Sequence, residues 1–145
     1  MILLDTSVLS RAFRRKRPAP PEQRLSAALQ RLIEGDADLG LPGIVLQEVL
    51  TGIRLEKQFA DLERRLTTGF AIVHPTTTNH VDAARLRNTC VSKGLNVSGT
   101  DCLIATLAIS GHHQLFALDD DFRAIARYST LELLSDDGRR PGRHR

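Results

Sequence analysis

The chain has 145 residues, 41% of them hydrophobic, the usual size of a single domain with a real core. Its formal net charge of +3 identifies no partner by itself, but Arg11, Arg14, Arg15, Lys16 and Arg17 cluster near the start and Arg139, Arg140, Arg143 and Arg145 near the end, the distribution that polyphosphate partners favour. Cys90 and Cys102 form no CxxC or His-spaced pair, and no apolar run approaches the roughly 18 residues of a membrane span, so a disulfide framework, a zinc knuckle, a signal peptide and a membrane anchor are all unexpected in what reads as a soluble, cytoplasmic protein.

Taken in chain order, short apolar runs alternate with helical patterns. Ile2–Leu4 is expected as a first strand, and Ser7 can cap a short helix running into the basic cluster, which Pro18-Ala19-Pro20-Pro21 must break. A helix over Glu22–Ile33 follows, with Leu25, Ala28, Leu29 and Leu32 on one face and Gly35 at its end. Asp38–Leu41 reads as a short strand stopped by Pro42. Helices over Gly43–Leu55 and Glu56–Thr67, a strand at Phe70–Val73 and a helix from about Thr78 to Val91 come next. Gly94–Ser98 is a loop into a nearly all-apolar helix, Thr100–Ser110. A strand at Leu115–Leu118, a helical turn at Phe122–Arg127 and a last strand at Leu131–Leu133 complete the domain, residues 1–134. From 135 to 145 the composition turns Gly/Arg-rich, and a frayed tail is expected.

Strands separated by helices imply an α/β fold: a mostly parallel central sheet in a three-layer α/β/α sandwich. Ligand sites in such sheets lie beyond the carboxyl ends of the strands. Four acids sit where apolar segments start or stop. Asp5 ends the first strand, Asp119 ends Leu115–Leu118, Asp101 opens the apolar helix, and Glu48 interrupts Ile44-Val45-Leu46 and Val49-Leu50. If folding gathers them, their mutual repulsion calls for a cation, and an all-oxygen donor set suits a hard divalent metal.

Each acid also has a plainer role open to it. Asp5 can be a turn or capping acid, one of Asp119-Asp120-Asp121 should cap the Phe122 turn, and Ser98-Gly99-Thr100-Asp101 fits a capping box. A helix apolar all round is buried, however, so the first turn carrying Asp101 should point into a protected cleft. On a helical wheel the apolar stripe is Leu46, Val49, Leu50 and Ile53. Glu48 falls opposite, beside Ile44, Thr51, Gly52 and Leu55 and away from Gln47 and Arg54, which suggests a lined cleft.

Four segments in order carry a family resemblance: Leu3-Leu4-Asp5-Thr6-Ser7-Val8-Leu9, Gln47-Glu48-Val49, Ser98-Gly99-Thr100-Asp101-Cys102-Leu103-Ile104-Ala105 and Leu118-Asp119-Asp120-Asp121-Phe122. Together they resemble a PIN-domain ribonuclease, and the absence of extra domains resembles the VapC toxin of VapBC toxin–antitoxin modules. The resemblance covers residues 1–134. It implies endoribonuclease activity dependent on Mg²⁺ or Mn²⁺, a cognate VapB-type antitoxin as inhibitor, and a homodimer. It assigns Asp5, Glu48, Asp101 and Asp119 as the catalytic quartet, with Asp5, Asp101 and Asp119 on the metal. Thr6 and Asp121 stand as supporting residues.

For an RNA substrate, Arg11, Arg14, Arg15, Lys16, Lys93 and the tail arginines are the phosphate-binding candidates. With five Phe, one Tyr and no Trp, stacking platforms are scarce, so RNA shape is the expected basis of selection. The runner-up is a catalytically inactive relative that binds RNA or protein. A haloacid-dehalogenase-like phosphatase would need an acid where Ser7 stands, no GxGxxG follows the first strand, and His74, His80, His112, His113 and His144 show no zinc spacing.

Overall fold

A computed structural model of the chain describes residues 1–14 and 20–134, with Arg14 and residues 20–26 described by their backbone alone. The elements follow in the order β1 (Ile2–Leu4), α1 (Thr6–Arg14), α2 (Pro20–Glu34), β2 (Leu39–Pro42), α3 (Gly43–Leu50) and α4 (Glu56–Gly69). Then come β3 (Ala71–Val73), α5 (Thr77–Ser92), α6 (Gly99–Ser110), β4 (Gln114–Phe116), α7 (Asp120–Arg127) and β5 (Glu132–Leu134). Among the described residues, no helix is long and apolar enough to cross a membrane.

The five strands form one sheet in the order β3-β2-β1-β4-β5, and every pairing is parallel. Strands this short are near-continuous apolar runs because both faces are covered. Leu3, Leu4, Leu41, Leu115 and Phe116 are fully buried. At Gly40 β2 passes close to the side chains of Met1 and Leu3. A Cβ there would collide with Met1 Sδ and sit 3.1 Å from Leu3 Cδ2.

Strand order decides where a site can open. The chain steps from β1 to β2 and on to β3 in one direction, returns to β4, and continues to β5 in the other direction. Parallel crossovers are right-handed, so α1 to α4 cover one face and α5 to α7 the other. The connections leaving β1 and β4, which are neighbours, therefore diverge to opposite faces. In open parallel sheets such a divergence is where a crevice forms, at the carboxyl ends of the strands. The architecture is the three-layer α/β/α sandwich.

Several boundaries differ from the sequence reading for local reasons. Helix α1 begins at Thr6, not after Ser7, because the Asp5 carboxylate takes the Ser7 N–H at 3.1 Å and makes Asp5 the cap. Helix α2 starts at Pro20, since prolines fit a first turn whose N–H groups lack intrahelical partners anyway. Pro42 does not stop β2 short. It is the last residue of the strand, opposite Val73. Helix α3 ends at Leu50, not Leu55: Thr51 is extended and Gly52 takes φ +93°, a conformation that glycine adopts without strain. Strand β4 stops at Phe116, so Ala117 and Leu118 separate it from Asp119. The expected break at residues 18 and 19, Arg15, Lys16, Arg17 and the 135–145 tail lie outside the described residues.

Candidate metal centre

Each acid is placed by an element end. Asp5 follows β1, and its N–H donates to Phe116 O on β4 at 3.0 Å, continuing the β1–β4 ladder by one residue. Its side chain is buried, 6% exposed, and Oδ2 accepts from both the Ser7 N–H at 3.1 Å and the Ser7 hydroxyl at 2.6 Å. Among the described residues Oδ1 has no hydrogen bond. Asp119 caps α7, taking the Asp121 N–H at 3.0 Å, and thereby also sets Asp121 on the first turn. Ser98 caps α6 by accepting from the Asp101 N–H at 3.0 Å. The return bond of a full capping box, from the Ser98 N–H to the Asp101 carboxylate, is not made. As expected from its composition, α6 is buried almost throughout, from Cys102 to Ala108.

The carboxyl oxygens of Asp101, Asp119 and Asp121 come within 4.8 Å of one another. Three of the sequence candidates, Asp5, Asp101 and Asp119, thus meet electrostatically, with Asp121 joining them. Burial first, and then the negative charges of Asp119, Asp5 and Asp121, together push the Asp101 pKa up to about 6. Only the Ser98 hydroxyl pulls it back. Asp121, expected as a supporting residue, belongs to the tight trio, while Asp5 turns one oxygen to Ser7 and acts on the trio from beside it.

Glu48 stands further out. It is exposed, not set in a lined cleft, because α3 ends too early for Thr51, Gly52 and Leu55 to flank it on the helix, and Leu55 is itself exposed. Partial desolvation and the charge of Asp5 nevertheless raise its pKa, and the Thr6 hydroxyl lowers it. Thr6 Oγ1 is buried and lacks hydrogen-bond geometry to any partner among the described residues, although it lies close enough to Glu48 to act on it. A buried hydroxyl without a partner is uncommon and is the kind of atom a bound group satisfies.

The residues fit a hard divalent cation. The donors are all carboxylate oxygens, three of them close together, beside a buried carboxylate with an unbonded oxygen. Of the basic candidates, Arg11 and Lys93 are exposed, with Lys93 Nζ 6.0 Å from the Tyr128 ring centroid, and Arg87 Nε donates to Val97 O at 3.1 Å, one residue before the α6 cap. In the sequence Ser7 reads as a helix cap and as part of the Leu3–Leu9 segment, with no role in the site assigned to it. An Asp-x-Ser spacing, able to close a local turn, was the one signal that could have marked it.

The raised pKa has a pH consequence. In the folded state Asp101 holds its proton up to about pH 6, against an ordinary value of 3.8. The folded protein therefore binds more protons than the unfolded chain between those limits. Stability from this group is full below pH 4 and is lost as pH rises through 6. Glu48 shifts in the same direction. Thermal melts in chelator should show the wild type falling relative to Asp101→Asn over pH 4–6. Parallel profiles would contradict the raised pKa.

A family model described as the PIN domain matches residues 2–128. No curated protein matches the chain. Among solved structures, FitAcB from Neisseria gonorrhoeae is 23% identical and superposes with a TM-score of 0.74, covering 94% of this chain and 98% of that one. VapBC2 from Rickettsia felis, bound to a DNA fragment from its promoter, is 21% identical with a TM-score of 0.73, covering 92% and 97%. Mycobacterium tuberculosis VapC20, described as a sarcin-ricin loop cleaving toxin, is 20% identical with a TM-score of 0.63, covering 86% and 94%.

Proposed function

Because this chain belongs to the PIN-domain family, we propose that it is a divalent-metal-dependent endoribonuclease and the toxin of a type II toxin–antitoxin pair. The observation that carries the reading is the carboxylate cluster at the β1–β4 crevice, with Asp101 pushed up to about 6 by burial and by its acidic neighbours. Asp5, Asp101 and Asp119, with Asp121, would hold Mg²⁺ or Mn²⁺. When bound, such an ion would lower the pKa of a water molecule and offset charge on the phosphate.

The chain's own groups do the rest. Glu48, exposed and with its pKa already raised, accepts a proton from the attacking water at a carboxylate oxygen. The Thr6 hydroxyl, free of other partners among the described residues, orients that carboxylate or the water beside it. Arg11 and Lys93 contact RNA phosphates, as would the basic residues at 14–16 and in the tail, which makes binding salt-sensitive.

Named neighbours support the partner and substrate assignments. One is a VapBC assembly and another is described as cleaving the sarcin-ricin loop. We therefore assign structured cellular RNA as the substrate and a VapB-type antitoxin as the inhibitor. The antitoxin would present an Arg or Lys to the carboxylates. A cytoplasmic homodimer of the 1–134 domain is the corresponding physical state.

Incubation of the purified protein with structured RNA tests the reading. Cleavage in Mg²⁺ or Mn²⁺, lost in EDTA and lost in Asp5→Asn, is the expected result. Cleavage that survives both EDTA and Asp5→Asn would remove the metal-site assignment. Absence of cleavage by a protein that still binds RNA would favour the inactive module.

A further inference from the structure

Ser7 makes more bonds than a helix start requires. Its backbone N–H donates to Asp5 Oδ2 at 3.1 Å, which already completes the α1 cap. Its hydroxyl donates a second bond to the same oxygen at 2.6 Å, in the short range of charge-assisted O–H···O⁻ contacts. That hydroxyl also accepts from the Leu118 N–H at 3.1 Å. The directions are consistent, since a hydroxyl has one proton to give and lone pairs to receive with. Leu118 directly precedes Asp119, the α7 cap. One side chain thus links the carboxylate after β1 to the backbone before Asp119, across the crevice whose two connections diverge to opposite faces of the sheet.

We propose that Ser7 is a positioning residue for the metal site, holding Asp5 with Oδ2 committed and Oδ1 free, and fixing the β4–α7 connection relative to it. The proposal rests on the metal-nuclease reading above. Nothing else among the described residues ties these two connections together through a side chain at this point. Removing the hydroxyl leaves the Leu118 N–H without its acceptor and lets the Asp5 carboxylate rotate about the single remaining backbone bond. Oxygen donors that were held in place before a cation arrived would then have to be ordered by it.

The test measures Mn²⁺ affinity by calorimetry, and the metal concentration giving half-maximal cleavage, in wild type, Ser7→Ala, Ser7→Cys and Ser7→Thr. Outer partners of metal ligands typically contribute about 10–100-fold in affinity, so Ser7→Ala should weaken Mn²⁺ binding by that order. Cleavage at saturating Mn²⁺ should recover, because the ligands themselves remain. Ser7→Thr, which keeps the hydroxyl, should restore most of the affinity. Ser7→Cys keeps the volume and offers only a weak donor, so it should fall between, and it carries the test if Ser7→Ala does not fold. Folded variants that bind Mn²⁺ as tightly as wild type, with only a lowered melting temperature, would overturn the positioning role and leave the nuclease reading standing. A wild type that binds no Mn²⁺ would remove both.

Discussion

Asp101→Asn is expected to abolish RNA cleavage while raising the melting temperature of the metal-free protein at neutral pH. The two effects have one origin. Asp101 is pushed up to about 6 because ionising it means removing a charge from water beside Asp119, Asp5 and Asp121. Asparagine keeps the shape, keeps the backbone N–H that Ser98 caps, and carries no charge to repel. Without metal, the substitution removes a cost that the wild type bears. On the proposed metal site, it would also remove an anionic donor from the closest part of the cluster. Outer-shell partners alone are worth about 10–100-fold, so loss of a direct ligand should exceed that range. Paired measurements decide it: cleavage rate in Mn²⁺, and melting temperature in chelator at pH 7.5. A variant that is inactive and also less stable would indicate a structural acid, and an active variant would exclude Asp101 from the site.

Phe116→Ala should act in the opposite sense, destroying activity only because it destroys the fold. Phe116 is fully buried in β4, pairs with both Leu4 and Leu134, and its carbonyl receives the Asp5 N–H. Truncating a buried phenylalanine costs about 3–5 kcal/mol, through lost apolar burial and the cavity left behind. Domains of this kind have only about 5–15 kcal/mol in total. Urea titration should show the midpoint collapse with metal present or absent. A loss below about 1 kcal/mol, the ordinary effect of a point substitution, would mean that the β4 core is not packed as described. Set beside Asp101→Asn, this variant separates residues that hold the sheet from residues that use it.

Much of the fold was legible because local physics repeats along the chain. The β1 boundaries came straight from the run Ile2–Leu4 ending at a carboxylate, and the burial of α6 from its lack of any polar face. One of the three acids before Phe122 does cap α7, as expected, and it is Asp119, while Ser98 caps α6 without the return bond of the expected capping box. Readings failed where one residue's backbone preference outweighed the pattern around it. Gly52 at φ +93° cut α3 short and took with it the lined-cleft picture of Glu48. Pro42 was compatible with the end of a strand whose pairing does not need its missing N–H.

The amino-acid order by itself determined that acids would lie at the ends of buried elements, that strands and helices would alternate, and that a parallel sheet would result, because burial periodicity, caps and turns act over a few residues. Only the tertiary structure decided which acids are neighbours. Asp121 stands in the trio with Asp101 and Asp119, Asp5 stands beside it, and Glu48 stays at the exposed margin. Ser7 reaches Leu118, 111 positions away in the chain, for the same reason. Those distances follow from strand register and the hand of the crossovers, which bring β1 against β4, and no local pattern in the sequence encodes them.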